Sequence, residues 1–492
     1  MNVLLISPEV PITFWSFKHA LKFIGKRASL PPLGLMTVAA MLPEGWSPRL
    51  VDMNIQKLTD DDLAWADLVM IGGMVVQRDS ARTTIARCKD AGLTVVAGGP
   101  LFTAEHESFP EVDHFVLDEA EVSLKPFLDD LATGQPKRVY RGEGFPEITE
   151  TPTPLWHLAN LKRYASMSLQ YSRGCPFNCE FCNVTTLFGH RPRTKTVDQV
   201  INELDSLYKA GWKDSVFFVD DNFIGKTGRL KNDLLPALSR WLSSHPGVTF
   251  STEVTINLAD DPELMEMMVQ AGFDTVFVGI ETPDDTCLNE CGKVQNRGRD
   301  LIEDIRRMQR AGLQVQGGFI LGFDGDEPSI FQRQIDFIQK SGIVTAMVGM
   351  LQALPGTKLF NRVSREGRLC GDSTGDNVDG TTNFVPTMGL EKLHAGYRRV
   401  LEHIYHPKNY YKRLKTYLRE APTPRFRKPV PMRQLMAFAR SVYRLGILGR
   451  ERLHYWKLIA WTLLRRPKLL PVAVTLSVCG FHFRKVAHQQ FD

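Results

Sequence analysis

Residues 168–182 read SLQYSRGCPFNCEFC, a short apolar run that leads directly into three cysteines. Cys175, Cys179 and Cys182 have the spacing C-x3-C-x2-C. Thiolates are soft ligands that suit iron–sulfur clusters, and a cubane cluster takes up to four of them. Three thiolates on one loop would leave one iron open to a further ligand. The alternatives are a zinc site that His190 completes, or a chance spacing.

The chain on both sides of the cysteines predicts a barrel. Five further apolar runs follow, at residues 215–221, 248–254, 275–281, 315–323 and 345–353, with segments of helical length between them. Six strand–helix units predict a partial, TIM-like (β/α)6 barrel in the part of the chain between residues 166 and 380. Reactive groups of such barrels lie at the carboxyl ends of the strands, where the cysteines are placed.

Residues 1–134 show the same alternation and predict a second α/β unit. Their apolar strands favour a Rossmann-like, doubly wound parallel sheet that helices cover on both faces. Two strands end in glycine turns, at Gly72, Gly73 and Met74, and at Gly98, Gly99 and Pro100. Ligands of doubly wound sheets bind at this edge, and glycine lets a ligand approach the backbone.

The remaining segments complete the predicted organisation. Residues 135–165 are a connector with several prolines, and residues 381–492 are mainly helical. The apolar run at 469–481 is shorter than the roughly 18 residues of a spanning helix and predicts a buried or an interfacial helix. Beyond residue 407 the chain is rich in lysine and arginine. That stretch can meet phosphates, anionic lipids or an acidic partner, or it is a solvated helical face.

Composition and cysteine usage limit the class of protein. The 492 residues carry a net charge of +5, and 43% are hydrophobic, which is ordinary for a globular protein. Three of the eight cysteines fall within eight positions, which favours a metal or redox site over a disulfide framework. The first residues lack the pattern of a signal peptide. We therefore expect a cytoplasmic protein.

The cysteine motif, with Phe181 before its last cysteine and Arg173-Gly174 before its first, resembles the radical S-adenosylmethionine (SAM) superfamily. In that family the open iron of a [4Fe–4S] cluster binds the amine and carboxylate of SAM. An electron from the cluster then cleaves the sulfonium to give a 5′-deoxyadenosyl radical. The resemblance implies that the three cysteines hold the cluster and that residues at successive strand ends contact SAM. With Phe181, these are Asp220, Asp221, Asn222, Glu253, Glu281, Gly318, Ile320 and Gly322.

The N-terminal pattern resembles the cobalamin-binding domain of cobalamin-dependent radical SAM enzymes, on the stretches LLISPEVPITFWSF, GGMVVQ, VVAGGPLFT and DHFVLDEAE. The resemblance implies cobalamin as a further cofactor, contacted by the two glycine turns. Domains that ligate cobalt by histidine carry D-x-H-x-x-G, whereas this chain has asparagine, Asn54, two residues after Asp52. We therefore expect no histidine ligand below the cobalt. The alternative is a Rossmann-like domain that packs on the barrel or binds part of the substrate.

The helical C-terminal region, on the stretches HAGYRRVLEHIYHPKNYYKRLKTYL and RRPKLLPVAVTLSVCGFHFRK, resembles that of hopanoid C-2 methylases and related lipid- or pigment-modifying methyltransferases. This implies methyl transfer to an unactivated carbon of a bulky lipid or tetrapyrrole, with electrons from a flavodoxin or ferredoxin. The basic C-terminal region would contact the inner face of the membrane, and no nucleic acid is expected. One alternative is a cobalamin-binding radical SAM enzyme that performs cyclisation, rearrangement or oxidation. Another is a non-enzymatic iron–sulfur sensor or membrane-associated scaffold. Cys287 and Cys291 are interpreted as structural.

Overall fold

The computed structural model describes residues 1–376, 378–423 and 432–489. It contains two six-stranded parallel sheets, a two-stranded ribbon and a C-terminal group of helices. This arrangement confirms the predicted α/β class with a mainly helical end.

The N-terminal unit is built on a sheet with the order β2-β1-β3-β4-β5-β6, all parallel. Its strands are β1 (Asn2–Ser7), β2 (Ser47–Asp52), β3 (Leu68–Gly72), β4 (Thr94–Gly98), β5 (His114–Val116) and β6 (Val139–Tyr140). Its helices are α1 (Lys18–Ile24), α2 (Leu33–Ala40), α3 (Asp60–Trp65), α4 (Arg78–Asp90), α5 (Pro100–Glu105) and α6 (Ala120–Ala132). Strand β6 lies within the stretch predicted as a connector and pairs with β5. The strand order reverses at β1, so a crevice opens at the carboxyl ends of β1 and β3.

The second unit has six parallel strands in sequence order, which is the predicted partial barrel. They are β7 (Met167–Leu169), β10 (Ser215–Phe218), β11 (Thr249–Val254), β12 (Phe273–Glu281), β13 (Gln314–Leu321) and β14 (Ala346–Met350). A short antiparallel ribbon, β8 (Ser172–Arg173) with β9 (Arg193–Thr194), brackets the cysteine loop. The helices are α7 (Val184–Phe188), α8 (Val197–Lys209), α9 (Thr227–Arg229), α10 (Leu235–Ser244), α11 (Pro262–Gln270), α12 (Asp285–Glu290), α13 (Leu301–Ala311), α14 (Ile330–Ser341) and α15 (Lys358–Arg365).

The C-terminal unit is helical. It comprises α16 (Leu390–Tyr405), α17 (Pro407–Glu420), α18 (Met432–Ser441), a π-helical turn (Val442–Ile447), α19 (Arg452–Arg465) and α20 (Leu470–Gln489). The α20 region is long and apolar enough to cross a membrane by length and composition, which the sequence prediction for 469–481 missed because the helix runs on beyond Phe481. Half of its apolar window is buried inside the protein.

Aromatic packing joins the helical unit to the N-terminal unit. The Phe14 ring is fully buried and stacks on Phe483 of α20, with centroids 5.4 Å apart, and it contacts Tyr405 of α16 at 5.6 Å. Nε2 of His482 lies 3.0 Å from the carbonyl oxygen of Phe14. The two neighbouring aromatic residues differ in burial: Phe14 belongs to the core, whereas Trp15 remains 41% exposed and borders the cavity described below.

Candidate active site

The cysteine loop begins at a residue that must be glycine. Gly174 has φ +93°, and a Cβ there would lie 2.9–3.0 Å from the carbonyl oxygens of Phe188, Gly189 and Arg191. This close approach turns the chain out of β8. The N–H of Cys175 then donates to the Gly189 carbonyl at 3.3 Å. The far arm of the ribbon therefore sets where the cysteine loop starts.

The three cysteines are partly exposed free thiols on one loop. None is in a disulfide. Burial raises the pKa of each thiol, that of Cys182 to about 12, and the charge of Cys179 raises the pKa of both Cys175 and Cys182. A thiol in this setting becomes a thiolate when a cation binds it. The donor set therefore fits the [4Fe–4S] cluster that the spacing predicts.

The zinc alternative finds no support in the described ranges. There, no three histidine, cysteine, aspartate or glutamate side chains are grouped to hold one metal ion, and His190 is exposed. In a cubane each thiolate binds a different iron, so its cysteines stand farther apart than the ligands of a single ion.

A segment that follows α12 packs against the cysteine loop. The N–H of Glu180 donates to the carbonyl of Cys291 at 2.8 Å. A Cβ at Gly292, where φ is +70°, would lie 3.1 Å from the Asn178 carbonyl. Nε2 of Gln295 lies 4.0 Å from Cys179 Sγ. Cys287 and Cys291 are buried in an apolar cluster, in agreement with a structural role.

The end of β10 carries the first group of predicted SAM contacts, and they differ in exposure. Asp220 is fully buried, and its carboxylate accepts hydrogen bonds from the N–H groups of Tyr171 and Ser172 and from the Ser172 hydroxyl. Asp220 thus fixes the position of the chain after β7. Asn222 is buried and accepts from the Thr255 hydroxyl at 3.3 Å. Asp221 is only partly buried, and burial raises its pKa to about 6.

The ends of β11 and β12 add two carboxylates and one lysine. Burial and the nearby charge of Asp221 raise the pKa of Glu253 to about 8. Glu281 adopts the left-handed conformation, with φ +63°, and accepts a hydrogen bond from Lys293 Nζ at 2.6 Å. Burial alone would lower the pKa of Lys293, but Glu281 and Cys179 raise it above its ordinary value. Lys293 thus places a positive charge beside the Glu281 carboxylate and the cysteine thiols.

The end of β13 carries the predicted adenine-side residues. A Cβ at Gly318 would lie 2.7 Å from the Phe277 ring, so β12 and β13 require glycine there. Ile320 belongs to the apolar cluster against which Phe181 packs. Gly322 has φ +103°, and its N–H donates to Asp326 at 2.7 Å. These residues form one apolar wall next to the cysteine loop.

A cavity of about 680 Å³ lies between the N-terminal sheet and the barrel. The predicted glycine-turn residues all line it: Gly72, Gly73, Met74, Gly98, Gly99 and Pro100. Gln170 and Arg173 next to β7 and β8, and Leu187 and Phe188 of α7, line its other side. The cavity therefore joins the crevice of the doubly wound sheet to the flank of the cysteine loop.

Asn54, which stands at the histidine position of D-x-H-x-x-G, is fixed by hydrogen bonds in the lining of this cavity. Asn54 Oδ1 accepts from the N–H of Val10 at 2.8 Å, and its Nδ2 donates to Asp52 at 2.7 Å. The buried Asp52 also accepts a hydrogen bond from the Tyr164 hydroxyl at 2.8 Å. Asp52 and Asn54 both line the cavity and are held in place by these bonds.

Comparisons with known proteins agree with this geometry. The radical SAM superfamily matches residues 169–338, and a domain of unknown function (DUF4070) matches residues 357–492. The hopanoid C-2 methylase of Rhodopseudomonas palustris is 35% identical over 479 residues, which cover 94% of this chain and 90% of the relative. The chain belongs to the hopanoid C-2 methylase family of radical SAM enzymes. An uncharacterized methyltransferase of Synechocystis sp. is 39% identical over 501 residues, covering 100% of this chain and 93% of the relative.

The fold of this radical SAM enzyme extends to more distant proteins. The cobalamin-dependent radical SAM enzyme OxsB covers 100% of this chain and 83% of its own length at a TM-score of 0.64, with 15% identity. The radical SAM methyltransferase TsrM of Kitasatospora setae has a TM-score of 0.56 and 17% identity, with 74% and 75% covered. At such identity these likenesses establish the fold alone.

Sequence reasoning missed the residues that support the cluster loop of this radical SAM enzyme. Lys293 and Gln295 follow α12 and reach the loop only because the chain turns back at Gly292. Their sequence signal is weak: a lysine and a glutamine on a polar connection. Glu119 and Glu121 were part of the quoted stretch DHFVLDEAE but received no role. They are buried and pair with Arg173 beside the cluster loop, through Glu121 at 2.9 Å.

Proposed function

We propose that this chain is a cobalamin-dependent radical SAM methyltransferase that methylates an unactivated carbon of a bulky polycyclic lipid. The observation that carries the proposal is the cavity of about 680 Å³ between the two sheets. It lies on the carboxyl edge of the doubly wound sheet and reaches the flank of the cysteine loop. A second large cofactor held there would lie beside the cluster. The volume of the cavity is within the range of ligand pockets.

The residues around the cysteine loop would have different roles according to where they lie. When bound, the cluster supplies the electron that cleaves SAM, and cobalamin supplies the methyl group. Cys175, Cys179 and Cys182 would hold the cluster, and Asp221 and Glu253 are open to the methionyl amine or the ribose of SAM. Within the described residues no group donates a hydrogen bond to Glu253, so its oxygens are free to accept one. The apolar wall of Phe181 and Ile320 would exclude water from that side.

The cradle for cobalamin would come from the glycine turns. Gly99 adopts φ +89°, and Gly73 leaves open a space in which a Cβ would meet Gln77 only at 3.6 Å. Asn54 stands where a cobalt-ligating histidine would be, and it is engaged by Val10 and Asp52. The residues present therefore suit a corrin whose lower face receives no imidazole.

The relatives support a lipid substrate over a tetrapyrrole. The hopanoid C-2 methylase aligns with 94% of this chain at 35% identity. The bacteriochlorophyllide d C-12(1)-methyltransferase of Chlorobaculum tepidum aligns with 68% at 25%. The likeness to the hopanoid C-2 methylase thus extends over more of this chain and at higher identity. We also propose a flavodoxin or ferredoxin as the electron donor, and contact of the basic C-terminal region with the inner face of the membrane.

The test is methyl transfer from labelled SAM. The anaerobically reconstituted protein would be incubated with SAM carrying a trideuterated methyl group, a reductant, cobalamin and a pentacyclic hopanoid. The proposal predicts a product heavier by one trideuterated methyl group in place of one hydrogen. A variant with Cys175, Cys179 and Cys182 all replaced by alanine should form none, whereas Cys370→Ser, an exposed cysteine outside the loop, should retain the activity.

The outcomes separate the alternatives. Cleavage of SAM with a product that lacks the label would favour cyclisation, rearrangement or oxidation. Absence of SAM cleavage under reducing conditions, with the cluster intact, would favour a sensor or scaffold. Product formation by the triple cysteine variant would contradict the assignment of the cluster.

A further inference from the structure

The solvent-facing side of α19 (Arg452–Arg465) carries an apolar stripe. Leu453, Trp456, Ala460, Leu463 and Leu464 recur at helical spacing and are all exposed, Leu464 to 82% and Leu453 to 68% of the residue surface. The opposite side of the same helix is buried in the core. Exposed apolar side chains that are grouped on one face of a helix mark an interaction surface, so this outer face of α19 is a candidate docking surface.

The apolar surface continues from α19 onto the turn before it. Nε1 of Trp456 donates to the carbonyl of Gly446 at 2.9 Å, which holds the π-helical turn against the helix. Ile447 and Leu448 follow directly and are 55% and 63% exposed. Exposed apolar side chains thus lie both on α19 and on the turn that is hydrogen-bonded to it.

The charge around this patch has one sign. Between residues 432 and 489 the sequence has a single acidic residue, Glu451, and it is buried against Arg484. Exposed basic side chains flank the outer face, among them Arg452 and Lys457. With no exposed carboxylate in this stretch, the surface has no counter-charge of its own and attracts anions.

A basic pocket opens at the end of the same helix. Arg419, Trp461, Arg465 and Arg466 line a cavity of about 440 Å³. Arg466 is held by the backbone carbonyl of Arg419 at 2.9 Å, whereas Arg465 is exposed. Two or more guanidinium groups around an open cavity match the fork geometry that binds phosphate.

We infer that the outer face of α19 docks on a bilayer that contains anionic phospholipids, with the leucines and Trp456 in the interface and a lipid phosphate in the arginine pocket. The combination of exposed leucine and tryptophan with lysine and arginine matches a monotopic interfacial helix. A protein partner would bring carboxylates for the basic groups, but its docking would not require the apolar stripe and the arginine-lined cavity together.

This docking face deepens the proposed function, on which its link to the substrate rests. The helix α18 next to the patch packs on α1, and Arg440 donates to the carbonyl of Phe23 in α1 at 2.8 Å. Lys18 at the start of α1 lines the cavity between the sheets. A membrane-resident apolar substrate would thus leave the bilayer one short helix away from the proposed cofactor cavity.

The test is flotation of the full chain with vesicles. Vesicles of phosphatidylcholine with phosphatidylglycerol should carry the protein, and vesicles of phosphatidylcholine alone should carry much less. The double variant Leu453→Gln/Leu464→Gln should reduce the partition coefficient by about tenfold or more, because it removes two leucine side chains that the bilayer would bury. Arg465→Gln should weaken binding to the anionic vesicles only. Val385→Gln and Arg365→Gln, which change exposed residues outside these helices, serve as matched controls.

Three outcomes would overturn the inference. They are absence of binding to either vesicle, equal binding by the outer-face variant and the unchanged protein, and a dimer in light scattering that the outer-face variant abolishes. The last would assign the face to a second copy of the chain. Flotation needs neither cofactor nor turnover, so it fails or succeeds independently of the methyl-transfer assay.

Discussion

Arg173, two residues before the first cluster cysteine, donates to Glu121 of the N-terminal unit at 2.9 Å. The same guanidinium pairs with Glu119, and both carboxylates are nearly excluded from solvent. Arg193, on the other arm of the ribbon, pairs with Glu119 at 2.7 Å. The loop proposed to hold the cluster is thus fastened by charge to the domain proposed to hold cobalamin, and the cavity lies between them.

Arg173→Met should destabilise the protein strongly. It leaves Glu121 without its cation in a buried site, which costs about 3–5 kcal/mol of the free energy of unfolding. Urea unfolding of the protein without cofactors measures the loss. The control, Lys125→Met, breaks an exposed pair with Asp129 and should cost less than about 1 kcal/mol. Equal losses for the two variants would contradict the role of Arg173.

Gly174→Ala should prevent assembly of the cluster. The added Cβ would lie within 3.0 Å of three carbonyl oxygens and would push the cysteine loop away from the ribbon. Iron content after anaerobic reconstitution measures the effect. The matched control is Gly211→Ala, where φ is +97° but no atom lies within 4 Å of the new Cβ. Full iron content in the Gly174 variant would show that the loop does not depend on this close approach.

Lys293→Met should lower the reduction potential of the cluster. The lysine lies close enough to influence all three cysteines, and removal of a positive charge disfavours the added electron. We expect a shift on the order of tens of millivolts to more negative values, measured by a redox titration followed by electron paramagnetic resonance. Lys213→Met, at the amino end of β10, is the control.

The double variant Lys293→Met/Glu281→Gln separates charge from folding in that experiment. It removes both partners of the buried pair, so Glu281 is not left as an uncompensated charge. Its free energy of unfolding should lie above that of the single variant. An unchanged potential in both would exclude an electrostatic role of Lys293 at the cluster.

Glu253→Gln should flatten part of the pH dependence of stability. In the folded protein burial raises the pKa of Glu253 from 4.5 to about 8, so the folded state holds a proton that the unfolded state releases. Stability from this group is therefore present below about pH 4.5 and is lost as the pH rises through about 8, at most about 5 kcal/mol. Urea unfolding of the cofactor-free protein between these pH values tests it, with the exposed Glu111→Gln as control. An identical slope for Glu253→Gln and the unchanged protein would refute the assignment.

The repeating part of the fold could be read from the sequence because its strands are buried on both faces. Runs such as LVMIG in β3 and AMVGM in β14 are continuous and apolar, which distinguishes them from the helices between them. Strand β6 was missed because a pair of residues, Val139–Tyr140, carries no period. The length of α20 was missed because Arg484 and Lys485 interrupt the apolar run, although the helix continues through them.

The site could be predicted only where local spacing carries the chemistry. The cysteines lie on one loop, so their spacing alone predicts a cluster site. The hydrogen bonds of Asp220 could not be predicted, because Tyr171 and Ser172 lie 49 and 48 residues away along the chain. The pairing of Lys293 with Glu281 likewise depends on the reversal of the chain at Gly292. No local sequence pattern predicts that reversal.

The most direct test of the central claim is metal analysis of the anaerobically reconstituted protein. The chain would be supplied with iron, sulfide and hydroxocobalamin, freed of unbound cofactor, and assayed for cobalt and iron together with its absorbance spectrum. The account predicts about one cobalt and about four irons per chain. Iron without cobalt would contradict it, because the cavity between the sheets would then hold no corrin and the proposed methyl transfer would lose its methyl carrier.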